Sequence, residues 1–310
     1  MPYDWYTPTA DDQRRSSLDP EPFDYNIEMG SLFYRQSDGT VTELPKQMGQ
    51  AAYNPDTGEV YKVHGGNYVP TPHTKVMNDI NDVLKDVGFN LDNLEVNNVV
   101  GHNSQGVKGS RIRRDIIFHN EIIKPSVNDT MAFKISVLGS YDGSWAHQIV
   151  FSAQRLECLN GMVSDRALYR SYMKHTQTIN MKPTVGRITQ ALEYFKEDEA
   201  RFASWSKPAG PNLRWDAKVN SFIKSFSASP KPDDQAAINN DTFDNLLNRY
   251  DNQHYTMPHS PWRMYNALTD WSTHFEMKRK NSPDYNERLK REQKVSSALR
   301  SSEWNSLVAA

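Results

Sequence analysis

The residues able to do chemistry are a single cysteine, nine histidines, a few carboxylates and a clustered set of cations. Cys158 stands in Arg155-Leu156-Glu157-Cys158-Leu159-Asn160-Gly161, between a strand pattern and a helix pattern. A thiol at a helix N-terminus is acidified, and His175 would be its base. Cysteine is nevertheless among the most buried residue types, and nothing in the spacing brings His175 to it, so a structural thiol is the expectation. His254 and His259 are separated by a proline-containing loop, His274 lies on the following helix pattern, and no His-Glu-x-x-His or further acidic or thiolate ligand completes a metal spacing. Asp115, Glu121 and Asp129 lack the following Glu-x-Lys of a two-metal nuclease. Gly106-Val107-Lys108-Gly109-Ser110 lacks the earlier glycine of a phosphate-binding Walker loop. The expectation is a protein with no catalytic residue, no metal and no cofactor.

The cations are more suggestive. Lys108, Arg111, Arg113 and Arg114 crowd a hairpin tip and the strand leaving it, with Arg111 and Arg113 alternating onto one sheet face. Arg166, Arg170 and Lys174 recur every four residues in a segment with helical spacing, bordered by Tyr169 and Tyr172. Cations that track phosphates beside rings that stack on bases are the makings of a single-strand nucleic-acid groove. The competing reading is that these arginines pair with the acidic front of their own chain.

That front is pronounced. The 310 residues carry 36 Lys+Arg and 38 Asp+Glu, a formal charge of −2, yet residues 1–100 hold 7 Lys+Arg against 16 Asp+Glu and residues 101–190 hold 12 against 6. No window approaches the ~18 apolar residues of a membrane span. The first residues lack a secretory layout, and one cysteine makes no intramolecular disulfide. The expectation is a protein of the cytoplasm, away from membranes.

The elements that must position these residues follow from period and punctuation. Residues 1–50 read as an extended acidic arm with a short strand near 31–34. An α+β core over 51–206 holds a helix at 74–87 stopped by Gly88, then period-two strands at 96–101, 110–117, 120–123, 131–138 and 145–156, with a turn at Tyr141-Asp142-Gly143. The connections are too short for parallel crossovers, so the strands form an antiparallel meander with helices on one face. Helical spacing predicts helices at 162–177 and 185–205. A helical region over 207–310 follows, with helices near 216–226, 238–250, 261–275 and 285–299. Trp262, Tyr265, Leu268 and Trp271 drift around one helix face, the signature of core rather than of a ligand box. Residues 278–280 and 288–294 read as a solvated basic tail.

Two segments resemble a known family. Tyr141-Asp142-Gly143-Ser144, followed by Phe151-Ser152-Ala153-Gln154-Arg155-Leu156-Glu157-Cys158-Leu159-Asn160, resembles the phage/plasmid-like protein family, a domain of unknown function (DUF 932). Pro261-Trp262-Arg263-Met264-Tyr265-Asn266-Ala267-Leu268-Thr269-Asp270-Trp271 is similar to its late helix, and Tyr68-Val69-Pro70 fits the same scheme. Tyr141 stands where that family usually has His, and residues 1–50 have no counterpart. The resemblance implies a phage- or plasmid-borne gene and an intracellular protein, with no settled activity. Asp142, Gly143, Arg155, Cys158 and Asn160 are its motif residues; Asp142, Arg155 and Asn160 are expected to fix the turn and the strand–helix junction through backbone bonds. The order of helix, meander, basic hairpin and long helix also resembles that of single-strand annealing proteins, which are oligomeric and independent of ATP.

Together these readings predict a non-enzymatic phage protein that binds or anneals single-stranded DNA in replication or recombination. It would act as a homo-oligomer, alongside a phage exonuclease or replication proteins. Lys108, Arg111, Arg113, Arg114, Arg166, Arg170 and Lys174 would lie on phosphates, with Tyr169 and Tyr172 stacking on bases. The alternative is an interaction module that binds a host or virion protein.

Overall fold

The computed structural model describes residues 18–91, 94–126, 129–155, 161–162, 170–173, 182–209, 213–229, 237–252, 257–274 and 284–309. The chain opens with a 3₁₀ turn, Glu21–Phe23, then strands β1 (Glu28–Ser31), β2 (Phe33–Arg35), β3 (Val41–Glu43), β4 (Gln50–Tyr53) and β5 (Val60–His64). Helix α1 (His73–Val87) leads into β6 (Leu94–His102), β7 (Lys108–Ser126), β8 (Asp129–Ser140) and β9 (His147–Arg155). Two short strands follow, β10 (Gly161–Met162) and β11 (Arg170–Met173), and then the helical half. This half contains α2 (Lys182–Trp205), α3 (Leu213–Ser227), the two-residue strands β12 (Ala228–Ser229) and β13 (Ala237–Ile238), α4 (Asn240–Asn252), α5 (Pro261–His274), α6 (Asp284–Ala298) and α7 (Ser302–Val308). The class is α+β, with antiparallel sheets first and helices after, as the change of period requires.

The central sheet runs β10-β9-β8-β7-β6, with β11 also pairing β9. Its register alternates two unlike faces. Ile112, Ile116, Phe133, Ile135, Val137, Ile149 and Phe151 lie on the helix side, in one cluster with Val76, Met77, Ile80 and Leu84 of α1 and Ile188, Phe195 and Phe202 of α2. Arg111, Arg113, Asp115, Lys134, Ser136, Gln148 and Gln154 occupy the opposite face, and all are buried. The α1 spacing works as read: five apolar side chains turn inward, and Gly88 ends the helix with a left-handed φ of 84° and an N–H bonded to the Leu84 and Lys85 carbonyls.

Two expectations are corrected. Residues 170–173 form a strand, antiparallel to His147–Val150, where a helix over 162–177 was expected. The outer edge of β9 must be paired, and strand pairing overrides the local helical spacing. The described part of the front segment is also folded. β1, β4 and β5 form a three-stranded sheet, β2 and β3 a separate ribbon, and Phe23 is fully buried in the main core.

The helical half is tied to the sheet by a carboxylate. Asp129 at the start of β8 accepts from Arg155 Nε (2.5 Å) through one oxygen and from Trp262 Nε1 (2.7 Å) through the other. Both members of the ion pair are 3% exposed. Trp262 then continues into a cluster with Phe202 (5.1 Å between centroids), Tyr265, Trp205 and Trp304. The Trp262, Tyr265, Leu268 and Trp271 stripe is core, as read. Removing the carboxylate takes the charged acceptor from a buried guanidinium and the acceptor from an indole N–H. Asp129→Ala is therefore expected to cost about 3–5 kcal/mol in urea unfolding. Trp262→Phe, which keeps a ring and loses one hydrogen bond, should give a clearly smaller shift that includes its lost packing volume; equal losses would refute the node.

Candidate functional site

The residues of one end of the sheet converge on the Tyr141-Asp142-Gly143 turn between β8 and β9. Asp142 Oδ1 accepts from the Ser144 amide (3.0 Å), and Gly143 takes a left-handed φ of 67° that a side chain would strain. Ser140 Oγ donates to the Trp145 carbonyl (2.8 Å) and closes the loop. Asp142 Oδ2 accepts from Arg111 Nε (2.7 Å), and the Arg111 guanidinium lies 5.4 Å from the Trp145 ring centroid.

Tyr141 organises what surrounds the turn. Its buried hydroxyl accepts from the His73 amide (2.7 Å) and donates to the Tyr25 carbonyl (3.3 Å), which places the α1 N-terminus and the front segment against the sheet. Burial drives its phenol far above the ordinary range. Its ring stacks on that of His73, with centroids 3.6 Å apart and planes 7° apart, and His147 meets His73 edge-on at 6.1 Å. Gly139 is the floor for both imidazoles. A Cβ there would lie 2.7 Å from His147 Nδ1 and 3.1 Å from His73 Nδ1, so the position takes no side chain without displacing a ring. His73 Nε2 faces the Gly109 carbonyl (3.2 Å) and His64 Nε2 the Tyr141 carbonyl (2.6 Å); because a carbonyl only accepts, these nitrogens carry the protons.

The outer layer is polar, with exposed cations around two partly buried rings. The His64 ring stacks on Tyr68 at 3.7 Å and 5°, both half-buried. Burial lowers the His64 pKa and the Lys62 charge adds to this, against the Tyr141 carbonyl and Asp142, which pull the other way. Lys62 is exposed, with Nζ 3.4 Å from where a Gly143 Cβ would stand. Lys108 is exposed at the start of β7, where it pairs with His102. Among the described residues no group of three or more His, Cys, Asp or Glu is placed to hold a metal ion.

The arginines expected on phosphates are placed otherwise. Arg111 is spent on Asp142. Arg113 is buried, with Nε donating to Asp115 Oδ1 (2.8 Å) and Nη2 to Ser136 (3.4 Å). Burial alone would raise the Asp115 pKa, but the Arg113 and Lys134 charges, with hydrogen bonds from Arg113 and Ser136, hold it well below the carboxylate range. Arg114 is fully buried on the helix side. It donates to Asn98 Oδ1 (2.8 Å) and to the Leu18 (3.0 Å) and Asp19 carbonyls, over the Phe23 ring, and burial lowers its pKa to about 10. The competing reading, pairing with the acidic front, holds for Arg114 in part, through backbone carbonyls.

Of the four cations expected at the hairpin, Lys108, Arg111, Arg113 and Arg114, Lys108 is the one that faces water. Arg170 and Tyr172 lie in β11 at register positions opposite Val150 and Gln148, two apart on a strand rather than on a helical stripe. Arg155 is the buried partner of Asp129. Arg166, Tyr169, Lys174, Cys158 and Asn160 lie outside the described residues, as do His175 and His254. Sequence reasoning missed Lys62, His64, Tyr68, His73 and His147. The Tyr68-Val69-Pro70 motif before α1 was the one signal toward them, because it marks the approach to the helix whose first residue is His73.

The model of the family described as Domain of unknown function (DUF932) matches residues 60–295, from the first residue of β5 into α6, and the chain belongs to this family. No curated protein and no solved structure matches it. No helix among the described residues is long and apolar enough to cross a membrane.

Two tests follow from the site's packing. Gly139→Ala should lose about 1–3 kcal/mol as the histidine pair is forced off its floor, whereas Gly186→Ala, facing open space on α2, should gain about 0.4–1 kcal/mol. Thermal unfolding of both reads the contrast, and a neutral Gly139→Ala would sink the account. His64 has a folded pKa below its unfolded value, so its contribution is complete above pH ~6.5 and is lost as pH falls through that value toward the folded one. His64→Gln should flatten the fall in melting temperature between pH 7.5 and 5.5, and coincident profiles would rule out the assignment.

Proposed function

We propose that the protein is a non-enzymatic binder of single-stranded DNA that takes its ligand at the Asp142-Gly143 end of the sheet. The observation that carries this reading is the exposed Lys62 beside the Gly143 turn, next to the partly buried His64–Tyr68 stack, with Lys108 exposed on the adjoining hairpin. Cations for phosphate beside a ring face for a base are the elements of sequence-tolerant single-strand binding. The phosphates move from Arg111, Arg113 and Arg114, whose charge is already answered, to Lys62 and Lys108. The setting that goes with the reading is replication or recombination of phage DNA in a host cytoplasm, beside an exonuclease or other replication proteins.

A second reading, binding of a protein partner, is favoured by the apolar side chains that the front segment leaves in water, foremost Phe33 and Met48 at 62% and 69% exposure.

Fluorescence anisotropy with a labelled single strand and its duplex, over a salt series, separates the two. Strand-selective binding is expected, at least tenfold weaker in the Lys62→Glu/Lys108→Glu double variant, with a log–log salt slope shallower by about 1.4, or ~0.7 per phosphate. Unchanged affinity in that variant refutes this placement, and no binding at low salt refutes the nucleic-acid reading.

A further inference from the structure

The β2–β3 ribbon is built as half of a sheet. Its three register pairs are Phe33–Glu43, Tyr34–Thr42 and Arg35–Val41, and every one of these residues is exposed. The flanking bonds run from Leu44 N–H to the Leu32 carbonyl and from Gln36 N–H to the Thr40 carbonyl (both 2.8 Å). Antiparallel alternation therefore turns the backbone groups of Leu32, Tyr34 and Gln36 toward β3 and those of Phe33 and Arg35 outward. The outer edge of β2 offers its N–H and C=O groups to another strand.

Phe33 and Tyr34 are 62% and 58% exposed. As neighbours in a strand they stand on opposite faces, so docking one face of the ribbon against a surface covers only one of them. Adding a strand at the β2 edge flanks both. A two-stranded ribbon is also marginal by itself in water, and four strands are not. Val41, Met48 and Val63, at 52%, 69% and 49% exposure, are further apolar side chains left in water on β3 and the elements near the ribbon in sequence.

We propose that this edge pairs antiparallel with the same edge of a second copy of the chain, about a two-fold axis through Tyr34. The sequence of the edge is self-complementary in that register. Phe33 meets Arg35 of the second copy on one face, twice, and each pair sets a guanidinium beside a ring. Tyr34 meets Tyr34 of the second copy on the other face. The two Arg35 come diagonal to each other across the axis, and Glu43, diagonal to Arg35 within each ribbon, offsets that like-charge approach. The opposite edge, through β3, would instead set Glu43 against Val41 of the other copy. The pairing does not depend on the nucleic-acid reading, because the ribbon precedes the family-matched residues 60–295 and holds neither Lys62 nor Lys108.

Sedimentation velocity of the full chain over a concentration series is expected to show a reversible dimer. Arg35→Pro removes an outward N–H while leaving the ribbon's own ladder intact, and should weaken the dimer at least tenfold without changing the circular dichroism spectrum or the melting temperature. Tyr34→Cys, whose Cβ atoms would face each other at about 4.5–5.5 Å across the axis, should form a disulfide-linked dimer on mild oxidation in a Cys158→Ser background. A monomer at every concentration overturns the proposal and leaves the ribbon to a different protein. A dimer that survives Arg35→Pro, with no cross-link in Tyr34→Cys, overturns it by placing the interface elsewhere.

Discussion

A guanidinium taken out of water must be given acceptors, and four among the described residues of this sheet are taken out. Arg111, Arg113, Arg114 and Arg155 are all buried, and each is answered differently: by Asp142 across a turn, by Asp115 two residues on, by the Leu18 and Asp19 carbonyls with Asn98, and by Asp129. An unpaired charge in such a place costs several kcal/mol, so the acceptors are obligatory. Three of the four answers join elements that are distant in sequence. Arg114 holds the front segment over the core, Arg111 fixes the turn at one end of the sheet, and Arg155, through Asp129 and Trp262, fixes α5 at the other. Apolar burial brings helices to a sheet but is indifferent to where along it they lie. Directional bonds from buried guanidinium groups remove that freedom.

Much of this was legible in the sequence. The α1, α2 and α5 stripes, the meander and the turn at Asp142-Gly143 follow from period and punctuation, because each signal is local. The parity of Arg111 and Arg113 was also legible, but their surroundings were not. Alternation shows that two side chains share a face, not whether that face meets water. The carboxylate that neutralises Arg111 comes from 31 residues away and the carbonyl that binds Arg114 from 96. The strand at Arg170–Met173 was hidden for a related reason: cations four apart satisfy a helix template, whereas the pairing of 170–173 depends on the open edge of β9, which no local window contains. In the front segment a polar, proline-rich composition outweighed Phe23, which enters the core completely.

The segments that carry the family likeness are spelled largely by interior residues. Tyr141, Asp142, Arg155 and Trp262 each spend their polar atoms on contacts inside the fold. A motif of that kind specifies a scaffold, and a scaffold is compatible with more than one ligand. Function is then to be sought where the scaffold leaves side chains outside. Two such places stand out, the lysine-bearing end of the sheet and the ribbon, and both grow from the small β1–β4–β5 sheet: Lys62 sits on β5, while β2 continues from β1.

This shared base gives the two surfaces a joint consequence. Two lysines make a weak contact with a phosphate chain, too weak for the work asked of a strand-binding protein at physiological salt. A two-fold pairing through β2 would carry two such ends on one sheet-built frame. A polymer held by the first end is then presented to the second at an effective concentration set by the frame rather than by diffusion, and avidity rises by orders of magnitude without a new contact. A short ligand gains nothing from this, because it reaches only one end. If both proposals hold, the surface that joins copies would select for length, which is what separates a nucleic-acid strand from any small anion that two lysines would also attract.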